Sequence, residues 1–392
     1  MTQSVSSNSI TSLVSSKLTG ALPAISGAAL TGVNAGVFSS TSNPTVTSNK
    51  TLGFIWANSV TGDLFNCIDA TTNNNVWKNV GSGVDHVHDT SSFQGEIAGF
   101  VSGGYSADDG NTFSNNIDRF SLLSDVEATQ HGDLTAARYQ SSGQSSTTHG
   151  YTSGGNGWNV IDKFTFASAG NATDVGDMPE LNRKSTCGHS SSTHGYAAGG
   201  ATRLPSTVTI DVIGINKFSF SSDGNAPQVA TLTLARSQAS GNSSSTHGYT
   251  AGGTADPGTS TDQTRIDKFT FASDSNATTV GTLAQRTVGV TGQSSSTDGY
   301  TTGGYSYTLS PAAASTEIDK WSFSSDGNAT DVGDLQSAVS AITGISATTK
   351  GYSAGQGSTS KIIQYFSYSS NVSGTQVGNL TLRQEFPSGT QY

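Results

Sequence analysis

Histidines, carboxylates and aromatic side chains are the groups in this chain that could do chemistry, and their spacing sorts them. Asp85-His86-Val87-His88-Asp89 places two imidazoles two residues apart. On a strand, residues i and i+2 face one side, so His86 and His88 could converge on a metal ion. In a homotrimer three such pairs would supply six nitrogens; the plainer reading is a polar linker. His149, His194 and His247 each precede Gly-Tyr, and Ala98, Asp298 and Lys350 hold the matching places. Equivalent positions of a repeat stand about ten ångströms apart or more, too far to share a metal bound at about 2 Å. They are expected to be exposed turn residues. Asp118, Asp162, Asp267 and Asp319 all follow an isoleucine and precede a basic residue and an aromatic one. They are expected to meet donors on a neighbouring repeat rather than calcium, since no run matches an EF-hand loop. Tyr105, Asp109, Trp158, Asn159, Arg203, Tyr305 and Tyr307 fall in connections of uneven length. Aromatic and arginine side chains on loops favour recognition over catalysis.

Enzyme signatures are thin. The chain has no Gly-Lys dipeptide for a P-loop and no His-Glu pair for HExxH. Its five glutamates are scattered, which does not suggest a paired-carboxylate glycosidase. The expectation is a non-enzymatic protein without a cofactor.

The elements that must position these residues follow from repetition. Gly-Asn-Ala-Thr-Asp-Val-Gly-Asp occurs at 170–177 and 327–334, and Ser-Ser-Ser-Thr-His-Gly-Tyr at 190–196 and 243–249. A Gly-aromatic element recurs at Gly99, Gly150, Gly195, Gly248, Gly299 and Gly351, at spacings of 51, 45, 53, 51 and 52 residues. After each comes an alternating segment, such as Ile161–Phe166 and Ile266–Phe271, and period-2 alternation signals a strand. Asp-Gly-Asn or Asp-Ser-Asn then supplies a hairpin turn. A Val-Gly-Asp-Leu type strand follows, and Arg138, Arg183, Arg236 and Arg286 lead into a small-residue strand. That makes four short strands per repeat, named A to D from the small-residue strand onward.

Composition agrees. Of 392 residues 47 are glycine, only 12% are charged, and 23 aspartates stand against five glutamates. Turn formers prevail over helix formers. A net charge of −10 lacks the basic footprint of nucleic-acid binding, and no apolar run is long enough to span a membrane. The first residues carry neither a basic region nor an apolar core of a signal peptide, and two cysteines make no disulfide framework. Synthesis in a cytoplasm is expected.

The order Arg, strand A, turn, strand B ending in Gly-Gly, strand C, hairpin, strand D resembles the kelch repeat across residues 84–392. The tryptophan usual in strand C is present only as Trp321. The resemblance implies an all-β, six-bladed kelch-like β-propeller. Leu380–Gly389 matches the lead-in Leu232–Gly241, so the C-terminal strand is expected to complete the first blade and close the fold. Some kelch-type propellers are copper radical oxidases with a Cys–Tyr site; nothing in the sequence marks such partners for Cys187. The connections from B to C vary from 5 to 14 residues, which singles out one face for binding.

Residues 1–50 form a Ser/Thr-rich segment expected to be extended and to anchor the protein, and 51–83 a small β-module. Leu18–Val33 and Thr51–Val80 resemble segments of tailed-phage fibres and other virion proteins. That resemblance implies a bacteriophage virion protein, made in the host cytoplasm and carried on tail or capsid. It would bind other virion proteins through its N-terminal segment and present a propeller face to a host-surface glycan or protein as a tail fibre or receptor-binding protein. A capsid-decorating or structural tail protein is the alternative, and a polysaccharide-acting propeller enzyme the second.

Overall fold

The computed structural model describes residues 38–59, 63–80, 86–87, 93–106, 108, 110, 112–180, 182–203, 209–255, 261–285, 287–306, 311–356, 360–369 and 373–392. The chain divides into two compact units, Met1–Asp89 and Thr90–Tyr392.

In the first unit, Phe38–Ser40 pairs in parallel with Ile55–Asn58. The sheet continues antiparallel through Leu64–Asp69, Val76–Asn79 and His86–Val87. So small a sheet needs a dense aromatic core. Trp77 is fully buried with Phe65 and Cys67, and Phe54 and Trp56 pack on them. The Trp77 indole donates to the Thr45 carbonyl at 3.1 Å. Part of the stretch expected to be extended, residues 38–50, thus contributes a strand and a 3-10 turn to this module.

The second unit is all β, with a propeller-type organisation. Among the described residues its main sheets repeat one antiparallel order, A-B-C-D. In the second repeat these strands are Ser142–Ser145, His149–Ser153, Val160–Thr165 and Thr173–Asp177. Strand B of the first repeat, Ala98–Ser102, pairs with Asn116–Ser121 and, on its other edge, with the C-terminal strand Ser388–Gln391.

The hydrophobic core lies between sheets. Tyr151 of one sheet packs against Phe218 of the next, and its ring stacks on Phe220 with centroids 4.9 Å apart. Tyr196 with Phe269 and Phe271, Tyr249 with Trp321 and Phe323, and Tyr300 with Phe366 and Tyr368 repeat the arrangement. Neither face of a sheet can therefore stand in water alone, so the sheets must stack. The Gly-aromatic motif has a steric cause: a Cβ on Gly150 would overlap the Phe164 ring, which lies across strand B.

Strands A approach one another backbone to backbone. A Cβ on Gly188 would meet the Gly143 carbonyl; Gly241 stands so to Gly188, Gly292 to Gly241, Gly344 to Gly292, Gly389 to Gly344 and Gly143 to Gly389. Two residues further on, the Ser145 amide donates to the Ser190 hydroxyl at 2.9 Å, Ser190 to Ser243 at 3.1 Å, Ser243 to Ser294 at 3.0 Å and Ser294 to Ser346 at 2.9 Å. The Gln391 amide donates to Ser145 at 3.0 Å.

Candidate recognition face

Because the strands are antiparallel, B-to-C and D-to-A connections leave the sheets on the same side. In the first repeat the B-to-C connection folds back as a hairpin, Tyr105–Ser106 pairing with Thr112–Phe113. Tyr105 and Glu385 exchange both backbone hydrogen bonds, each 2.9 Å, which binds the hairpin to the lead-in of the C-terminal strand. At its tip Asp108 accepts from the Arg383 amide at 2.9 Å and Nε at 2.6 Å, with Lys361 Nζ 3.1 Å away. The Arg383 side chain, its amide and Lys361 hold this carboxyl well below the usual carboxylate range.

An aromatic cluster stands on this hairpin. Phe113 stacks on Tyr139, centroids 4.8 Å apart and planes 26° apart, and Tyr105 meets both edge-on at 6.2 and 6.3 Å. Phe113 remains 38% exposed despite the stack. The Tyr139 carbonyl accepts from the Asn156 amide at 2.9 Å, tying the cluster to the second repeat's connection. Two residues on, Trp158 is 41% exposed.

Of the residues singled out from sequence, Tyr105 and Trp158 thus reach the same corner. Asn159 is tied to the residue that follows strand D, its side-chain amide donating to the Met178 carbonyl at 3.4 Å and its backbone carbonyl accepting from the Met178 amide. Tyr305 is half-buried in the fifth repeat and its hydroxyl closes a loop on the Ala312 carbonyl at 3.0 Å. Arg203 lies on a short strand opposite Thr209; its side chain lies outside the described residues, as do Asp109, Tyr307 and His88. The His86 backbone pairs with Lys78, and its side chain too lies outside the described part. Sequence reasoning missed Phe113, Tyr139 and the Asp108–Arg383 pair. The alternating Tyr105-Ser106 and Thr112-Phe113 around a Gly-containing turn was the available signal.

Between the first residues of the strands A lies a polar cavity of about 120 Å³, lined in part by Gln140, Ser185, Gln238, Thr291 and Ser388. Its rim is a run of backbone hydrogen bonds: Ser185 N to Gln140 O at 2.6 Å, Gln238 N to Ser185 O at 3.2 Å, Gly289 N to Gln238 O at 2.9 Å, Phe386 N to Ala341 O at 2.7 Å and Gln140 N to Phe386 O at 2.9 Å. At the opposite end of the same strands a cavity of about 50 Å³ is lined by Phe93, and Gln94 donates to the Ser294 and Ala347 carbonyls at 3.1 and 3.2 Å.

The buried aspartates of strand C find their donors in the segment leading into strand A of their own sheet, rather than on a neighbouring sheet. Arg138 meets Asp162 at 2.8 Å, both fully buried, and Thr135 adds its amide and hydroxyl at 2.8 and 2.6 Å. Arg236 and Thr233 do the same for Asp267, and Thr381 for Asp118. In the third sheet Asn216 replaces aspartate and Arg183 still reaches it. In the fifth, Thr287 rather than Arg286 stands five residues before the strand-A glycine, and Asp319 accepts from the Ala284 amide at 3.0 Å. Burial, then the Asp319 and Asp331 charges, push Glu317 up to about 8.

His149, His194 and His247 begin strand B instead of sitting in the turn, half-buried, each Nδ1 2.8 Å from the preceding threonine hydroxyl. Burial first, and then a neighbouring lysine, lower their pKa. Cys187 is buried, donates to the Ala239 carbonyl at 3.2 Å and is pushed up to about 12 by burial, so it holds its proton. Among the described residues, no three His, Cys, Asp or Glu side chains are placed to hold a metal ion, and no helix is long and apolar enough to cross a membrane.

Comparison with known proteins bears on the fold. No protein-family model and no curated protein matches the chain. Among solved structures, the one titled "Structure of YjhT" is similar over 65% of this chain and 88% of its own, with a TM-score of 0.55 and 10% identity. At that identity the likeness supports a β-propeller-like, all-β fold for this chain and carries no activity across.

Proposed function

We propose that this chain is a non-enzymatic bacteriophage virion protein, a tail-fibre or receptor-binding component whose second unit is a six-bladed kelch-like propeller closed by its C-terminal strand. The repeated sheet order, the pairing of Ser388–Gln391 with Ala98–Ser102 and the glycine series that returns from Gly389 to Gly143 support the architecture. The observation that carries the function is the exposed aromatic pair Phe113 and Trp158 on the side with the most variable connections. Residues 93–95, which follow the N-terminal unit in the chain, lie at the other end of the strands A. The anchoring role of the leader rests on its resemblance to virion segments.

The test is adsorption. Purified protein should bind cells of the host and block adsorption of the virus. Trp158→Ala should weaken both at least about tenfold, with an unchanged unfolding midpoint. Full binding by that variant, or immunogold label on the shell at high copy number, would reject the attachment role.

A further inference from the structure

We propose that the Phe113–Tyr139 stack, with Tyr105 and the Asp108–Arg383 ion pair beside it, is a binding site for an uncharged hexopyranose. The proposal rests on the attachment reading and names the chemistry of the receptor. A pyranose presents an apolar C–H face with hydroxyls around its edge. It therefore needs an accessible aromatic face bordered by charged or amide groups. Phe113 stacks on Tyr139 through one face yet keeps 38% of its surface open, which leaves ring surface for a second partner.

The border is polar and fixed. Asp108 at the hairpin tip is held by Arg383 and Lys361, whose side chains remain 36% and 37% exposed. Lys361 Nζ also donates to the Thr381 carbonyl at 2.8 Å, which leaves a third ammonium hydrogen for a hydroxyl. The paired backbone of Tyr105 and Glu385 fixes the hairpin that carries Phe113, so little ordering cost remains at binding.

Charge selects among saccharides. Arg383 and Lys361 share the single carboxylate of Asp108, and the whole chain carries −10. Asp108 engages both cations, and a sialylated or uronic-acid polymer would meet the repulsion of the chain's net negative charge. A protein loop as occupant would want a broader apolar patch than one stacked pair inside a charged border.

Titration of the full chain with methyl glycosides of glucose, galactose and mannose, followed by saturation-transfer NMR, tests this. One of them should bind saturably, with its ring protons shifted upfield by the aromatic face and with little dependence on salt. Phe113→Ala should weaken binding at least about tenfold. Phe113→Tyr should retain it, and both variants should keep the wild-type unfolding midpoint. Binding by none of the three, equal binding by Phe113→Ala, or preference for sialyllactose would overturn the proposal. Cell adsorption of the same variants separates the two readings. Adsorption lost in Trp158→Ala but kept in Phe113→Ala rejects the sugar site alone. Sugar binding by a protein that adsorbs to no host cell rejects the attachment role alone.

Discussion

His189 occupies the strand-A position that Gln144, Asn242 and Gln293 hold in other repeats, immediately after the close-packed glycine. Those amides bridge to the next sheet, Gln144 to the Tyr196 carbonyl at 3.1 Å, Asn242 to Tyr300 at 2.8 Å and Gln293 to Tyr352 at 3.0 Å. His189 makes a comparable bridge with its ring: Nδ1 faces the Asn242 carbonyl at 3.0 Å and Nε2 the Thr250 hydroxyl at 3.1 Å. A carbonyl only accepts, so Nδ1 carries the hydrogen and Nε2 accepts from Thr250. Complete burial lowers the pKa of this imidazole to about 4. The unfolded chain takes up a proton near the ordinary histidine value of about 6.5, which the folded state refuses until about 4. Stability contributed by neutral His189 is therefore present above about pH 6.5 and is lost as pH falls toward 4. The loss is on the order of 3 kcal/mol across that window. His189→Gln keeps a bridging amide and removes the proton. Urea unfolding at pH 7 and pH 5 should show a smaller acid loss for this variant than for the wild type.

At the scale of the element, what fixes strand C against the lead-in to strand A is a buried cation–carboxylate pair in some repeats and an uncharged pair in another. Arg138 and Asp162 are both fully buried, whereas Val339 and Gln364 stand at the same two places in the sixth repeat. Removing one member of a buried pair strands the other charge, at about 3–5 kcal/mol, while replacing both can be nearly neutral. Arg138→Val should accordingly lower unfolding stability by about that much, and adding Asp162→Gln should recover most of it. Strand positions and inter-sheet aromatics were legible because Gly-Tyr and Phe-x-Phe recur with period 2. The exact register of the lead-in was less so: Arg138, Arg183 and Arg236 stand five residues before the strand-A glycine, but Arg286 and Arg383 stand six before it. That one-residue slip releases Arg383 to Asp108 and puts Gln384 in the buried place. The B-to-C connections were legible only as lengths. Which aromatic is open and which hydroxyl is tied, as at Tyr305, depends on contacts between segments far apart in sequence, here Tyr105 with Glu385 and Asn156 with Tyr139.

At the scale of the whole second unit, the last residue lies against the first described ones. The Tyr392 carbonyl accepts from the Ile97 and Ala98 amides at 2.7 and 3.0 Å, and its side chain stacks on Phe166 with centroids 5.3 Å apart. Among the described residues the four-stranded sheets meet through aromatic contacts, with Leu122 in the place of the second ring where Tyr352 meets Phe120. The backbone could thus be rewired: a short linker from Tyr392 to Phe93, with new ends opened in the exposed turn at 167–170, yields a circular permutant carrying every native side-chain contact. Calorimetry of residues 93–392 in both connectivities should give one cooperative transition each, with midpoints a few degrees apart. A permutant that melts in separate steps would mean that one seam is weaker than the rest. If the two agree, the turn at which the unit is tethered becomes a choice of the engineer rather than of the gene.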